Sequence, residues 1–340
     1  MKQERKAIYF TSVNVILIAV LLAAIVISFM FGRYPVSPKE LLGILSSRIF
    51  TISPFWEEKM ETVVFNIRLP RILMACLVGC CLSAAGAAYQ GVFQNPMAAP
   101  DILGALSGAA FGAALAILFN ASSKLITISA FLFSLLTVFL VYFISFHVEG
   151  KKVIGLILTG IMVSSLFSSG TSFIKLVADP NDQLPSITYW LMGSLSGTTK
   201  KDVLFVIIPM SLGLIPLYLL RWRINILTLG DDEARTMGIN VQLLRLAVIL
   251  CSTLITAASV SVSGMIGWVG LVIPHFSRKI VGNNYKHLMP ASMTLGALFL
   301  LIVDNFSRNL LPTEIPLGIL TAFIGAPFFI YLLTRKGDSF

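Results

Sequence analysis

Charged residues are scarce in this chain of 340 residues, because Asp, Glu, Lys and Arg together make up only 12% of it. Soluble domains carry about 25% charged residues, so the composition excludes an ordinary soluble domain. Hydrophobic residues supply 56% of the chain, and the mean hydropathy is +0.88. These values predict an all-α polytopic membrane protein.

Residues that bind metals or perform covalent chemistry are also few, with 4 cysteines and 3 histidines. The cysteines fall inside apolar runs without a CxxC spacing, and no histidine has a partner at metal-ligand spacing. These residues are Cys76, Cys80, Cys81, Cys251, His147, His275 and His287. The sequence also lacks a zinc motif and a nucleophile with an adjacent base. We predict no metal site, no bound cofactor and no catalytic residue, and therefore no enzyme.

Apolar runs follow one another along the chain, and a helix needs about 20 such residues to cross a bilayer. The runs are 9–31, 71–93, 102–119, 125–146, 153–174, 203–220, 246–262, 264–273, 288–303 and 315–333. The eighth is short and is expected to stop at Pro274. The sequence thus predicts one membrane domain over residues 1–340, with about ten segments.

The first run follows Lys2, Arg5 and Lys6, as in a signal peptide, but it is too long and no small-residue cleavage site follows it. We interpret it as an uncleaved span. Placing both termini in the cytoplasm puts a small majority of the Lys and Arg residues inside. Much of the basic charge behind the net +9 then lies near anionic lipid headgroups, and no nucleic-acid partner is implied.

A polar segment, Arg221–Arg245, separates two of the apolar runs. Gly230 is followed by three acidic residues, which favour the positive end of a helix. Gly238 can supply the left-handed residue just past the last turn. The pattern predicts a short capped helix within this segment, typical of a contact for another protein. A helix lying on the lipid surface is the alternative.

Helix-breaking residues recur in NPMAAPDILG at Asn95–Gly104 and in GLVIPHFSR at Gly270–Arg278. Non-helical backbone at membrane depth is tolerated where it is buried in protein or lines a cavity. Candidate path-lining residues near these breaks and in the fifth run are Gln90, Asn95, Ser164, Ser165, Ser168, Ser169 and Thr171. Hydroxyl groups that bond their own helix or pack against a neighbouring one are the alternative.

Five motifs, in order, carry a resemblance to a known family. They are RLPR at Arg68–Arg71, Gln90 with NPMAAPDILG, LGDDEARTMGI at Leu229–Ile239, IGWVGLVIPHFSR at Ile266–Arg278, and DNFSRN with EIPLGILTAFIGAPFF near the end. Together they resemble the permease subunits of ATP-binding-cassette importers for iron siderophores, haem and cobalamin. The similarity extends from Arg68 to Leu333, most of the chain.

The resemblance implies a ten-span permease in a bacterial cytoplasmic membrane, paired with a second copy or a paralogue. It also implies two cytoplasmic ATPase subunits and an extracytoplasmic binding protein. The chain has no GxxxxGK[ST] phosphate loop, so ATP and Mg²⁺ would be used by the partner ATPase. Ferric siderophore is the expected cargo, with haem and cobalamin left open.

An ion-coupled secondary transporter is the alternative from a different class. Such carriers usually place acidic residues or a histidine relay inside their spans. The sequence puts only Asp304 near a span, at its outer edge. This scarcity of acids disfavours ion coupling.

The resemblance also implies roles for individual residues. The loop that docks into the ATPase corresponds to Leu229, Gly230, Asp231, Asp232, Glu233, Ala234, Arg235, Met237 and Gly238. Arg68, Arg71 and Arg308 correspond to positions where guanidinium groups meet carboxylates of the binding protein. Arg68 and Arg71 are expected on one face of a helix whose first turn contains Pro70. Internal pairing, such as Arg308 with Asp304, is the alternative.

Overall fold

Helices make up all the regular structure in the part of the chain that the computed structural model describes, residues 2–48, 50, 53–147 and 152–334. The helices are α1 Lys2–Met30, α2 Pro38–Ser46, α3 Glu58–Thr62, α4 Leu69–Val92, α5 Ala105–Leu118, α6 Ser123–Phe146, α7 Lys152–Val177, α8 Gln183–Met192, α9 Lys200–Leu227, α10 Asp231–Thr236, α11 Val241–Ser263, α12 Val269–Val281, α13 Tyr285–Asn309 and α14 Leu317–Thr334. A π-helical stretch, Val63–Arg68, joins α3 to α4. Lys151, Arg335 and Lys336, which count among the basic residues placed in the cytoplasm, lie outside the described residues.

Seven of the described helices are long and apolar enough to cross a membrane. They are Phe10–Met30, Glu58–Val92, Ser123–Phe146, Val153–Val177, Lys200–Leu227, Val241–Ser263 and Tyr285–Asn309, and two shorter apolar helices, Ala105–Leu118 and Leu317–Tyr331, accompany them. The all-α membrane architecture is confirmed. Seven helices rather than about ten meet both criteria.

The centre of the fold is α4, since 78% of the most apolar part of Glu58–Val92 is buried. Glycines allow its neighbours to approach closely. A Cβ added to Gly79 would lie 2.2 Å from the carbonyl oxygen of Gly296 in α13. The end of α4 at Gly91 lies beside Ile224 near α10, whereas its beginning lies at the opposite end of the bundle. We call these the α10 end and the Arg71 end.

The second span begins earlier than the sequence indicated. Helical structure starts at Glu58, so Arg68 and Arg71 lie within a continuous helix rather than in its first turn. The π-helical stretch ends two residues before Pro70, whose ring crowds the carbonyl four residues earlier in a regular helix. The wider turn provides room there, so the proline marks an irregularity inside the helix.

The break in the eighth segment also lies elsewhere than expected. Helix α12 continues through Pro274, and residues 264–268 are non-helical instead. Pro274 has no N–H to offer the carbonyl of Gly270. That carbonyl faces Gly86 of α4, where an added Cβ would lie only 1.7 Å from the oxygen. Close packing on a glycine thus accommodates the proline within the helix.

Two short helices outside the apolar runs were not expected. Helix α2 starts with a capping box, in which Ser37 Oγ accepts a bond from the N–H of Glu40 and the Glu40 carboxylate accepts one from the N–H of Ser37. The sequence SPKE carries this signal. Helix α8 has no side-chain cap, so no comparable signal marks its start.

Candidate coupling, translocation and docking sites

The polar segment 221–245 contains the short helix that its sequence predicted. Helix α10 follows Gly230, whose φ is +135°, and three acidic residues occupy its first turn. Gly238 ends it in the left-handed region, with φ of +79°. The N–H of Ile239 donates to the carbonyl of Ala234 at 3.0 Å, so the helix end is hydrogen-bonded. Both glycines take conformations that other residues rarely adopt.

Two contacts fix α10 to the membrane helices. Ala234 is fully buried. Arg245 at the start of α11 donates to Asp231 at 2.9 Å, an ion pair in which the arginine is mostly buried. Helix α10 also packs against both α9 and α11, so it is connected to two spans.

The opposite face of α10 is exposed. Leu229 and Met237, on either side of the helix, are 63% and 55% exposed. Asp232 and Arg235 form a surface ion pair at 3.6 Å, which contributes about 0–1 kcal/mol. Exposed apolar side chains that flank a charged helix are typical of a protein contact. Of the residues assigned to ATPase docking, Asp231 and Ala234 therefore hold the helix in place, whereas Leu229, Asp232, Glu233, Arg235 and Met237 form its exposed surface.

Three cavities meet at Asp101, in the loop between α4 and α5. Their volumes are about 740, 300 and 380 Å³, and Asp101 lines each of them. The largest lies against α8 and α14, the second against the non-helical residues 264–268, and the third against α7. The loop that carries Asp101 and the non-helical residues 264–268 thus form parts of the same cavity walls.

Of the candidate path residues, Ser164, Ser165 and Ser168 line the 380 Å³ cavity. Three others serve structural contacts. Gln90 is buried, donates to the Leu271 carbonyl and accepts from Arg278. Asn95 accepts from the N–H of Met97 at 2.9 Å. The Thr171 hydroxyl donates to the carbonyl of Phe167 in its own helix. Ser169 is exposed and lines none of the three cavities.

Asp101 itself was missed. The sequence interpretation took Asp304 as the only acid near a span, and that expectation is wrong. Asp101 lies in a loop between apolar runs, but the loop folds back against Ile161, Ser164 and Ser168 in the middle of α7. The proline-rich motif predicted the break, whereas the depth of the loop depends on tertiary packing.

The Arg71 end holds a buried cluster of charges. Arg71 Nε donates to Asp304 Oδ1 at 2.9 Å, and its Nη1 and Nη2 donate to Glu314 at 2.7 and 3.0 Å. Arg308 Nε lies 3.8 Å from Asp304 Oδ2. The cluster joins α4, α13 and the segment before α14. Asp304 lies inside α13 and is completely buried, rather than at an exposed span edge.

Backbone carbonyls and the Asn305 amide oxygen accept hydrogen bonds from the other two arginines. Arg68 donates to the carbonyls of Phe29 and Tyr34, and Arg308 donates to the carbonyl of Ser28 at 3.0 Å. All three predicted docking arginines are therefore buried and paired within the protein. This is the internal-pairing alternative, including the expected contact of Arg308 with Asp304. Docking of a binding protein by these arginines stays a prediction.

The exposed edge of this cluster is Glu314, in the connection between α13 and α14. Burial alone would raise its pKa, but hydrogen bonds and charge from Arg71 outweigh burial and hold the pKa below its usual value. We expect Glu314→Gln to reduce the stability of the solubilised chain by about 1.5 kcal/mol at neutral pH.

A depressed pKa contributes stability above the unfolded value of about 4.3 and loses it as the pH falls through the folded value. The stability difference between Glu314→Gln and the parent, followed by thermal unfolding, should therefore shrink below about pH 4.3. A constant difference over the whole acidic range would contradict the assignment.

The FecCD transport family matches residues 20–335 of the chain. The chain belongs to the FecCD transport family. This FecCD-family chain is 42% identical, over 92% of its length and 93% of the relative's, to the molybdate import system permease protein MolB of Haemophilus influenzae. It is also 42% identical, over 81% of its length and 83% of the relative's, to a protein of Helicobacter pylori described as a probable iron chelatin transport system permease.

The same family relationship extends to a solved structure. An ABC transporter assigned to the metal-chelate type, in an inward-facing conformation, superposes on the FecCD-family chain with a TM-score of 0.86. The sequences are 40% identical, and the match covers 95% of this chain and 99% of the other. The resemblance carried by the five motifs is confirmed, and the chain is an integral membrane permease of the ABC importer type.

Proposed function

We propose that the chain is the transmembrane subunit of an ATP-driven importer that receives a metal chelate from an extracytoplasmic binding protein. The coupling segment carries this proposal. Helix α10 is fixed to α9 and α11 and exposes Leu229 and Met237. The sequence contains no phosphate loop, so the partner at α10 is a pair of ATPase subunits that use ATP and Mg²⁺.

The proposal orients the molecule in a bacterial cytoplasmic membrane. The α10 end faces the cytoplasm together with both termini, and the Arg71 end faces the binding protein. The shorter helices α5 and α14, and α12 with the non-helical residues 264–268, complete about ten membrane segments. A second copy or a paralogue forms the other half of the translocation path.

Movement of the ATPases reaches the path through packed helices. Because α10 is short, ends in a hydrogen-bonded glycine turn and packs against α9 and α11, it moves as a rigid body with the ends of these two helices. Helix α11 packs against α4, α5 and α6, and the cavities at Asp101 lie beside α4 and α5. ATP binding and hydrolysis can therefore alter the cavity walls without any nucleotide contacting this chain.

The cargo we propose is a ferric siderophore, with haem and cobalamin as alternatives in the same family. The two relatives above are named for different cargoes, molybdate and an iron chelate, so family membership alone does not select one. Apolar and hydroxyl-bearing walls around Asp101 suit an organic chelate better than a small inorganic oxyanion, which is usually held by charged donors.

Gentle purification of the tagged chain from its native membrane tests the proposal. We expect ATPase subunits to co-purify in stoichiometric amounts, with vanadate-sensitive ATP hydrolysis that the loaded binding protein stimulates. Mass spectrometry identifies the subunits. A solitary chain that is stable in mild detergent and lacks hydrolysis would overturn the proposal and favour an ion-coupled carrier.

A further inference from the structure

The cavities that meet at Asp101 contain one charged side chain between them. Their walls include Met97, Leu106, Trp268 and Phe323 together with backbone and serine hydroxyls, but no lysine, arginine or histidine among the described residues. Among the residues that the structure describes, Asp101 is therefore the only source of full charge in these walls. Its side chain is exposed in the isolated chain and makes no ion pair with any residue that the structure describes.

The Asp101 carboxylate lies at the depth of the membrane interior. Its neighbours Ile161 to Ser168 occupy the middle of α7, which is 26 residues long. Exposure to lipid at this depth would be strongly unfavourable for the carboxylate and for the non-helical backbone beside it. The walls around Asp101 must therefore face protein or water, as in a translocation path.

We infer that Asp101 is a specificity-determining residue, whose negative charge admits neutral or cationic chelates and disfavours anionic cargo. This inference rests on the proposed importer function and narrows its substrate class. Neutral ferric trihydroxamates satisfy it, because three singly charged hydroxamates balance Fe³⁺. Ferric tris-catecholates and molybdate carry net negative charge and are disfavoured.

The electrostatic effect is large enough to select. Even with the dielectric constant of bulk water, a unit charge 4 Å away changes the local concentration of a singly charged ion by about fivefold. A wall of protein lowers the effective dielectric constant and strengthens the effect. No arginine or lysine in the described cavity walls offsets it, so a multiply charged anion is excluded more strongly still.

The charge in the cavity can be measured without cargo or ATP. In the assembled transporter carrying Ser165→Cys, two methanethiosulfonate reagents react with the introduced thiol. One carries a cationic trimethylammonium group and the other an anionic sulfonate group, and we would compare their reaction rates. Ser165 lines the same 380 Å³ cavity as Asp101. Adding Asp101→Asn should lower the cation-to-anion rate ratio by at least about fivefold. The transporter without Ser165→Cys gives the background from its native cysteines.

Matched variants separate local charge from altered folding. Asp101→Glu should keep the ratio of the parent, because it keeps the charge. Asp182→Asn removes an acid from a different cavity, of about 830 Å³, lined by α8 and the end of α11, and should leave the ratio unchanged. An unaltered ratio in correctly assembled Asp101→Asn, or an equal fall in Asp182→Asn, overturns the inference.

Uptake measurements then distinguish this inference from the proposed function. In cells carrying the whole importer, we expect accumulation of ⁵⁵Fe supplied as a neutral trihydroxamate, and no accumulation of molybdate. Molybdate uptake by the unaltered importer would overturn the selectivity even if ATP-driven import is established. If no chelate is taken up but the cation-to-anion rate ratio falls in Asp101→Asn as expected, the proposed cargo is overturned and the charge of the cavity stays established.

Discussion

Asp304→Leu should lower the stability of the solubilised chain by about 3–5 kcal/mol, because it leaves buried guanidinium groups without their carboxylate. Asp304 is fully buried and accepts from Arg71 Nε at 2.9 and 3.2 Å. Arg71 would keep Glu314, but Arg308 would lose its only described carboxylate partner. We expect the thermal unfolding midpoint, measured by size-exclusion chromatography of heated samples, to fall by roughly 5–10 °C.

A double variant and an exposed control make this result specific. Arg71→Met combined with Asp304→Leu removes one charge of each sign and leaves Arg308 and Glu314, which still attract each other, so the double variant should recover part of the loss. Asp232→Asn breaks an exposed pair with Arg235 and should change stability by less than about 1 kcal/mol. Equal midpoints for Asp304→Leu and Asp232→Asn would show that the buried cluster contributes little.

Gly238→Val should uncouple ATP hydrolysis from uptake in the assembled importer. The φ of Gly238 is +79°, and an added Cβ would meet nothing within 4 Å, so the effect is on the backbone rather than on packing. Left-handed geometry costs an ordinary residue about 1–2 kcal/mol, and a β-branched one more. The end of α10 should therefore shift, and we expect uptake to fall by about tenfold or more while hydrolysis continues.

The chain contains a matched control for this substitution. Gly197 has a φ of +74° and equally open surroundings, but lies in the loop before α9, away from α10. Gly197→Val should leave the ratio of uptake to hydrolysis unchanged, and Gly238→Asn should retain part of the coupling because Asn tolerates the left-handed region. Normal uptake by well-expressed Gly238→Val would contradict a coupling role for this helix end. An equal loss in Gly238→Val and Gly197→Val would contradict it as well.

The features that could be predicted from sequence are those set by local patterns. The apolar runs located the membrane helices, and glycines and acids around 230–238 located α10. The features that could not be predicted depend on contacts between distant segments. Arg71 lies 233 residues from Asp304 and 243 from Glu314, and no local pattern distinguishes such an arginine from an exposed one.

Helix irregularities illustrate the same limit. Pro70 and Pro274 both suggested helix ends, yet helical structure runs through each of them. A π-helical stretch accommodates the first, and close contact between Gly270 and Gly86 accommodates the second. Asp101 was missed for a related reason, because its depth depends on packing of its loop against α7.

The attachment of α1 has a consequence for how the chain is made. Only 11% of the most apolar part of this helix is buried, so it can enter lipid as soon as it is synthesised. Its end at Ser28 and Phe29 is held by Arg68 and by Arg308. Arg68 follows Phe29 by 39 residues, whereas Arg308 follows Ser28 by 280, so the second contact forms only after most of the membrane helices between them have been synthesised.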